Sequence, residues 1–375
     1  MENAVQATIS LKHLHEAEVA LNVALTLDGC RHRRERLVAE IQSLGLSGAL
    51  LRHPRHVHYF SGFWHLGRPH FATALIVRAD GSSTLFVPYE PEGQAIVADE
   101  VVLYESSRYA TLLDRQQAII ESCVAPRLSA LPSVGTDTDD FENVLLRLRR
   151  RKDPDEVELL KAGMAGCGAA YARAQELLQP GVTELGVYAE MYAAAVKKVG
   201  EPITEFGNDF QCGTLGSLPR QRPVEAGTTA ILDVSVVVRG YSSDLCRTFV
   251  IGAEPNDAQR DAHACVMEAL AYVEATVKPG VSCRQVHEHV FKMLNGYNGW
   301  TFTHHLGHGI GMTAHEAPRL NPNWDDVFEV GDVFTAEPGL YGEAIRAGIR
   351  VEHNYLVTTD GIERLSEYPT TLFST

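Results

Sequence analysis

"TAILDVSVVVRGYSSDLCRTFVIG" (residues 229–252) reads as two strands joined at Arg239-Gly240. Buried strands are made of Ile, Leu, Val and Phe, so Asp233 is out of place inside one. An unpaired carboxylate there is costly to bury, or stays protonated. If the connecting loop has two residues, cross-strand partners sum to 479, which sets Asp233 opposite Cys246. Asp244, two residues from Cys246, then projects from the same face as Asp233. Two carboxylates side by side repel unless a cation sits between them. The plain alternative is that Asp244 is a turn residue.

The same logic recurs downstream. "DVFTAEPGLY" (332–341) places Glu337 at the end of one strand, and "AGIRVEHNYLVT" (347–358) places Glu352 within another. Their separation of 15 positions fits one face of a hairpin whose loop has an even number of residues. An exposed edge strand carrying Arg350 and Glu352 is the bland reading. Four carboxylates match the charge of two divalent cations, and a histidine would add a nitrogen. Such oxygen-rich coordination suits manganese, cobalt, iron or zinc. Two metals about 3.5–4 Å apart can share a hydroxide and clamp a developing oxyanion.

Bulk properties narrow the field. At 375 residues the chain suggests two domains, and 45% hydrophobic with 22% charged residues is ordinary for a soluble globular protein. A net charge of −15 argues against nucleic acid or an anionic membrane as partner. The seven cysteines are scattered and never spaced as CxxC, which favours a reducing compartment over a disulfide framework. The N-terminus has no basic leader before an apolar block, so cytoplasmic is the expected location.

Periodicity predicts a helix over 11–27 ending near Asp28-Gly29, and a second over 31–45. Strand-like segments follow at 47–52, at 57–63, as a hairpin over 72–88 turning at Ala79-Asp80-Gly81, and at 100–106. "LRLRRRKDPDEVELLKAG" (146–163) holds a helix-start signal at Asp153-Pro154, and the expected boundary divides the chain into domains 1–148 and 149–375. The first reads as α/β. Beyond it helices are expected over 155–178, 183–199 and 256–278. Strand groups lie at 228–238 with 243–251, at 333–338 and at 347–358. The second domain therefore reads as α+β with a mainly antiparallel sheet.

In order, the chain contains Asp233, Asp244 in "GYSSD", His308 in "GHGIG", Glu337 in "AEPGLY" and Glu352 in "GIRVEH". This resembles the creatinase/prolidase/aminopeptidase P family, the pita-bread metallopeptidases. "RHRRERLVAEIQSLGLSGALL…VHYFSGF" is similar to that family's N-terminal domain, and "RRKDPDEVELLKAG" to the usual start of its catalytic domain. Against that family the helix expected over 11–27 is an extra element within the 1–148 domain, and the resemblance implies a curved antiparallel sheet in the second. It implies two divalent metal ions, Mn2+ foremost with Co2+, Zn2+ or Fe2+ as alternatives. Asp233 and Asp244 would bind one metal, with Asp244 and Glu352 bridging, while His308 and Glu337 complete the second site. His304 and His315 would contact substrate and stabilise or protonate the tetrahedral intermediate, with Glu337 orienting the nucleophilic hydroxide. Arg350 would anchor a substrate carboxylate or brace the metal shell. The implied activity is hydrolysis of an amide bond N-terminal to proline, as a Xaa-Pro aminopeptidase or dipeptidase, in a homodimer.

The chain also departs from that pattern. Family peptidases usually carry a histidine upstream of the first aspartate in a "PH" context. Here the nominal place, residue 216, is glycine, and "CGTLGSLPRQRPVEAGTTAILD" (212–233) has no histidine. That absence argues against creatinase itself and motivates an alternative: a C–N hydrolase or lyase acting on a non-peptide small molecule. A third reading is a non-catalytic binding protein on the same fold. His353 stands where the family often has an acidic residue.

The other histidines need separate reading. In "HHLGHGIGMTAHE" (304–316), Gly307, Gly309 and Gly311 make a continuous helix costly and permit close backbone packing around an ion or ligand. His308 is the expected ligand, His304 and His315 serve substrate, and His305 is structural. In "RHPRHVHYFSGFWHLGRPH" (52–70), a strand would put His56 and His58 on one face, a geometry that permits chelation but lacks a nearby carboxylate. In related dimers this loop reaches the partner's active site, so Trp64, His65 or Arg68 could shape the substrate pocket. His13, His15 and His32 read as solvated.

Overall fold

The computed structural model describes residues 23–65, 71–91, 93–104, 113–207, 209–214 and 218–372. The first helix is α1 (Leu27–Ser43), capped by Thr26, whose hydroxyl accepts from the Gly29 amide at 3.0 Å. Asp28-Gly29 therefore opens a helix rather than closing one, because an acidic residue just after a threonine cap suits a helix N-terminus. Of the helix expected over 11–27, residues 11–22, with His13 and His15, lie outside the described residues.

β1 (Gly48–Leu51) leads into α2 (Pro54–Ser61), where a strand was expected. Capping decides the outcome: His53 accepts from the Arg55 amide, Pro54 sits in the first turn, and Gly62 closes the helix at φ 80°. Residues two apart on a helix point to different sides, so His56 and His58 cannot chelate jointly. His56 instead meets the Glu142 carboxylate at 3.0 Å, and His58 lies against Trp64. β2 (Ala74–Arg78) and β3 (Ser83–Val87) form the expected hairpin, followed by β4 (Glu100–Leu103), α3 (Leu113–Leu128), β5 (Val134–Thr136) and α4 (Glu142–Arg150). The sheet order is β4-β3-β2-β1-β5, with β1–β5 and β3–β4 parallel and the other pairs antiparallel.

Two long antiparallel-sheet layers follow. The helices α5 (Pro154–Leu177) and α6 (Glu184–Val199) precede β6 (Asp209–Cys212), β7 (Thr229–Val234), β8 (Val237–Val238), β9 (Tyr241–Ser242) and β10 (Leu245–Val250). Next come α7 (Asp257–Thr276), α8 (Cys283–Leu294), β11 (Gly307–Gly309), β12 (Glu316–Leu320) and β13 (Val333–Ala336). The chain ends with β14 (Gly339–Gly342), β15 (Ala347–Arg350), β16 (His353–Val357) and β17 (Ile362–Arg364). Sheets run β10-β7-β6 and β12-β11-β13-β16-β17, all antiparallel, with β8–β9 and β14–β15 as two-stranded extensions. Helix α5 packs behind β8–β10 and α7 behind β14–β15, so each strand pair has an apolar helix at its back. This is the α/β part followed by an α+β part that the pattern predicts. Strands β5, β6, β11, β12, β14 and β17 and helices α3, α4 and α8 were not anticipated. Those strands have only three to five residues, too short for periodicity to register.

A buried charge network ties α1 to the start of α5. The Arg33 side chain is fully buried and grips Asp155 through both terminal nitrogens, at 2.8 and 3.1 Å. Arg36 grips Asp153 at 3.0 and 2.8 Å. Glu156 completes a capping box with Asp153 and accepts from the Tyr241 hydroxyl at 3.0 Å. Burial pushes Glu156 up to about 7, against the opposing pull of Arg33. These three acids lie close enough to hold a cation, yet Arg33 and Arg36 already pair with Asp155 and Asp153, and burial raises the third, Glu156. Tyr241 belongs to β9, at the tip of the hairpin that carries Asp233 and Asp244, so the network reaches the back of the candidate site.

Candidate metal centre

Arg239 and Gly240 both take positive φ, 47° and 83°, the signature of a two-residue hairpin turn that matches strand twist. Cys246 consequently pairs with Asp233, as the 479 register requires. The same register holds in β8–β9, where Val237 faces Ser242. Between the two ladders, at Ser235-Val236 and Ser243-Asp244, strand pairing lapses. Asp244 emerges at that lapse, with Ser235 donating to its Oδ1 at 3.0 Å.

The second hairpin repeats this construction. Ala336 faces His353 and Gly339 faces Arg350, one register that sets Glu337 opposite Glu352. Its tip, residues 343–346, has four residues, the even number that the spacing of the glutamates requires. Pairing lapses again where the carboxylates stand. Asp244, Glu337 and Glu352 thus stand where strand pairing lapses, while Asp233 stays within its ladder.

His308 comes from β11, wedged between β12 and β13. A Cβ at Gly307 would strike the Thr335 carbonyl, and one at Gly309 the Ala317 carbonyl. The glycines permit close packing as expected, but against neighbouring strands rather than around a ligand. The His308 Nδ1 lies 3.1 Å from the Gly309 carbonyl, so in the neutral ring Nδ1 carries the proton. That leaves the Nε2 lone pair aimed between the hairpins, 3.7 Å from Asp244 Oδ2 and 3.6 Å from Glu337 Oε1. Burial holds the ring neutral, its pKa lowered to about 4.

Three overlapping groups offer donor atoms within 4.8 Å of one another: Asp233 with Asp244 and Glu352, His305 with His308 and Glu337, and Asp244 with His308 and His315. The five residues singled out in sequence therefore converge. The site is underneutralised. Arg350 Nη2 reaches Asp233 Oδ2 at 2.7 Å, and His305 Nε2 reaches Glu337 Oε1 at 2.8 Å. Asp244 and Glu352 have no lysine or arginine partner among the described residues, and Glu352 Oε2 is buried with no hydrogen bond. Burial first, then the charges of Asp233 and Glu337, holds Asp244 well above the usual carboxylate range. Burial and the charges of Asp244 and Asp233 do the same to Glu352. Asp233 is raised to about 6 by burial, Arg350 opposing. Glu337 goes the other way, to about 2: burial is outweighed by the His305 hydrogen bond and the surrounding imidazoles. Hard oxygen donors, an aimed imidazole and a buried orphan oxygen are what a pair of divalent cations would satisfy.

The remaining candidates surround this cluster. His304 donates from Nδ1 to the His305 carbonyl at 2.8 Å, so Nε2 accepts from the Tyr341 hydroxyl at 2.8 Å. His315 is exposed and lies against His308 with ring centroids 3.8 Å apart. His305, expected to be structural, instead faces Glu337 directly, and that hydrogen bond raises its pKa. The Arg350 guanidinium is fully engaged, by Asp209 and Asp233 at 2.7 Å, Tyr341 at 3.2 Å and Cys246 Sγ at 3.4 Å. Of its two expected roles, this geometry provides the brace rather than the anchor. His353 is buried against Ser366 at 2.8 Å and faces away from the acids. Trp64 packs over the Gly240 turn of its own chain; Arg68 and Gly216 lie outside the described residues.

Sequence reading missed Ser235, Asn354 and Asp209. Asn354 brackets Asp244, accepting from its amide and donating to its carbonyl. Ser235 and Asn354 each stand two residues past a carboxylate, Asp233 or Glu352, and polar residues at that period in apolar strands were the available signal. A cavity of about 950 Å³ opens beside His305, His308 and His315 and extends to Arg147, Arg319 and Trp324. All seven cysteines are unpaired, and none of the described helices is long and apolar enough to cross a membrane.

Comparison with known proteins agrees with this arrangement. The sequence model of the Creatinase/Prolidase N-terminal domain matches residues 33–151, and that of Metallopeptidase family M24 matches residues 158–359. A Xaa-Pro dipeptidase of Pyrococcus furiosus is 27% identical over 349 residues, which span 90% of this chain and 98% of that one. The structure of a Xaa-Pro dipeptidase from Bacillus anthracis superposes with a TM-score of 0.76 at 25% identity, covering 92% of this chain and 99% of the other. An X-Pro aminopeptidase from Thermotoga maritima shares the fold, with a TM-score of 0.71 at 22% identity over 91% of this chain and 99% of that one. With the M24 model alone matching more than half of its length, the chain belongs to metallopeptidase family M24 and is a metal-dependent hydrolase of pita-bread fold.

Proposed function

We propose that the protein hydrolyses the amide bond N-terminal to proline in dipeptides or short peptides, using two divalent metal ions, of which manganese is the first candidate. The observation that carries this reading is the convergence of Asp233, Asp244, His308, Glu337 and Glu352 in a chain alignable along nine-tenths of its length with a Xaa-Pro dipeptidase. Asp233 and Asp244 would hold one ion, His308 and Glu337 the other, with Asp244 and Glu352 between them. Bound there, the ions would supply a hydroxide at neutral pH and polarise the scissile carbonyl. Arg350 keeps Asp233 ionised and in place. Glu337, ionised across the physiological range, is suited to accept a proton from the attacking group. His304 and His315 lie where they could donate to the developing oxyanion or the leaving nitrogen. For His304 this requires a proton on Nε2, gained by protonation or a change of tautomer, in place of the hydrogen bond it accepts from Tyr341. The domain division at 148/149, a homodimer and a cytoplasmic location form part of the same reading.

One observation favours a second reading. No histidine occurs between His70 and His263, so the imidazole that usually lines the proline pocket is missing. A non-peptide amide, cleaved by C–N hydrolysis or elimination, would fit a pocket so altered. The test is a panel of Xaa-Pro dipeptides and longer Xaa-Pro peptides, assayed with protein loaded with Mn2+, Co2+, Zn2+ or Fe2+. Release of the N-terminal residue from at least one is expected. Full metal occupancy with no cleavage of any would reject the peptidase reading in favour of the second.

A further inference from the structure

We propose that Asp209 sets the charge preference of the substrate pocket, accepting a cationic group such as the α-ammonium of a short substrate and excluding an anion. The proposal rests on the peptidase reading for its choice of substrate, but its physical basis is independent. Asp209 pairs with Asp233 across β6 and β7, so its side chain stands on the face that carries the metal-binding acids. Its Oδ2 takes a hydrogen bond from Arg350 Nη2 at 2.7 Å, the same nitrogen that serves Asp233. A substrate carboxylate seeking Arg350 would have to displace this built-in one.

Charge bookkeeping gives the consequence. Two divalent cations, the hydroxide they would hold and Arg350 together balance Asp233, Asp244, Glu337 and Glu352, which leaves the centre neutral. Asp209 then adds one negative charge, which attracts an ammonium and repels a carboxylate. It does so on a side chain still 36% exposed. Two buried acceptors here lack a donor. Among the described residues, Asp209 Oδ1 has no hydrogen-bond partner, and neither has Oε1 of Gln211, two residues along the same strand face and itself 93% buried. Gln211 Nε2 donates to Asp209 Oδ2 at 3.0 Å and fixes the carboxylate's orientation. An ammonium carries three donors and no acceptor, the complement of this pair. An ionised acceptor bonded to a cation is also the stronger kind of hydrogen bond. Asp209 is therefore a specificity residue that compensates on the ammonium side for a pocket lacking its usual histidine.

Three amides of proline that differ at one position test this: alanylproline with an ammonium there, propionylproline with hydrogen, and 2-methylmalonylproline with a carboxylate. Affinity is read as KM where cleavage occurs, and otherwise as the rise in Tm of the metal-loaded protein. The wild type should rank them ammonium, hydrogen, carboxylate. In Asp209→Asn the preference for alanyl over propionyl should fall at least about tenfold, the loss of one charge-assisted hydrogen bond, while the methylmalonyl compound gains affinity as Arg350 is freed. Asp209→Ser serves if the amide variant does not fold, and bound metal is measured in each. A variant that weakens all three alike has only lost a brace for Arg350, and overturns the proposal. Equal or undetectable binding of the three by the wild type overturns it too. Binding in the expected order, without cleavage of these compounds or of any peptide in the Xaa-Pro panel, would instead refute the peptidase reading and leave Asp209 its role.

Discussion

Removing one carboxylate should stabilise the metal-free protein, and the size of the effect follows from burial. Asp244 is 6% exposed and has no cationic partner among the described residues, so without metal its ionised form is disfavoured in the fold but free in the unfolded chain. An acid whose folded pKa is raised contributes no penalty below its ordinary pKa near 4. Above that the folded state loses stability with rising pH until the folded pKa is passed. Asp233, which does have an arginine, is nonetheless raised to about 6. Asp244 lacks that arginine, and an uncompensated buried charge costs about 3–5 kcal/mol. Asp244→Asn removes the charge and keeps an oxygen for the Ser235 hydroxyl. In excess chelator, urea unfolding should therefore show the variant more stable than wild type by about 3–5 kcal/mol at pH 8, the gap closing towards zero at pH 4. Buried histidines such as His56, His58 and His353, all lowered to about 3, weaken both proteins on acidification and cancel in the difference. With metal restored the order should reverse, because the variant has lost one of the proposed metal donors. A variant no more stable than wild type at pH 8 in chelator would refute the reasoning, as would a gap that narrows as pH rises.

Arg33→Ala leaves Asp155 and Glu156 buried without their base and should lower unfolding free energy by about 3–5 kcal/mol in urea titrations. His308→Ala should reduce bound metal from two ions towards one, measured by elemental analysis after gel filtration, with the unfolding midpoint in chelator nearly unchanged. Gly307→Ala puts a methyl into the Thr335 carbonyl, which should cost about 1–3 kcal/mol in chelator and weaken metal retention, since β11 must shift and carry His308 with it.

Much of the site was legible because two acids at a set spacing in each of two apolar hairpins break a simple rule. The registers followed from turn length and parity alone, and Asp233 opposite Cys246 is the direct result. What could not be read depended on contacts distant in sequence. His305 differs from His304 only by one position, and nothing local says that it turns towards Glu337. Asp209 looks like a loop residue until β6 is placed beside β7. The 54–61 segment has β-favouring residues, yet His53, Pro54 and Gly62 impose a helix because end capping outweighed intrinsic preference.

The two matched sequence segments adjoin between residues 151 and 158, where Asp153, Asp155 and Glu156 lie, and the bases that neutralise two of them are Arg33 and Arg36, over a hundred positions earlier. Homology thus draws a seam through a place that electrostatics has welded. A fragment beginning at residue 149 would keep every proposed metal donor but leave Asp153 and Asp155 without the arginines that pair with them. Chimeras that exchange the N-terminal segment with a relative should fare according to whether arginines at 33 and 36 travel together with acids at 153 and 155. For this chain the unit of inheritance is that four-residue bargain, and any exchange that divides it forfeits the scaffold on which the hydrolase depends.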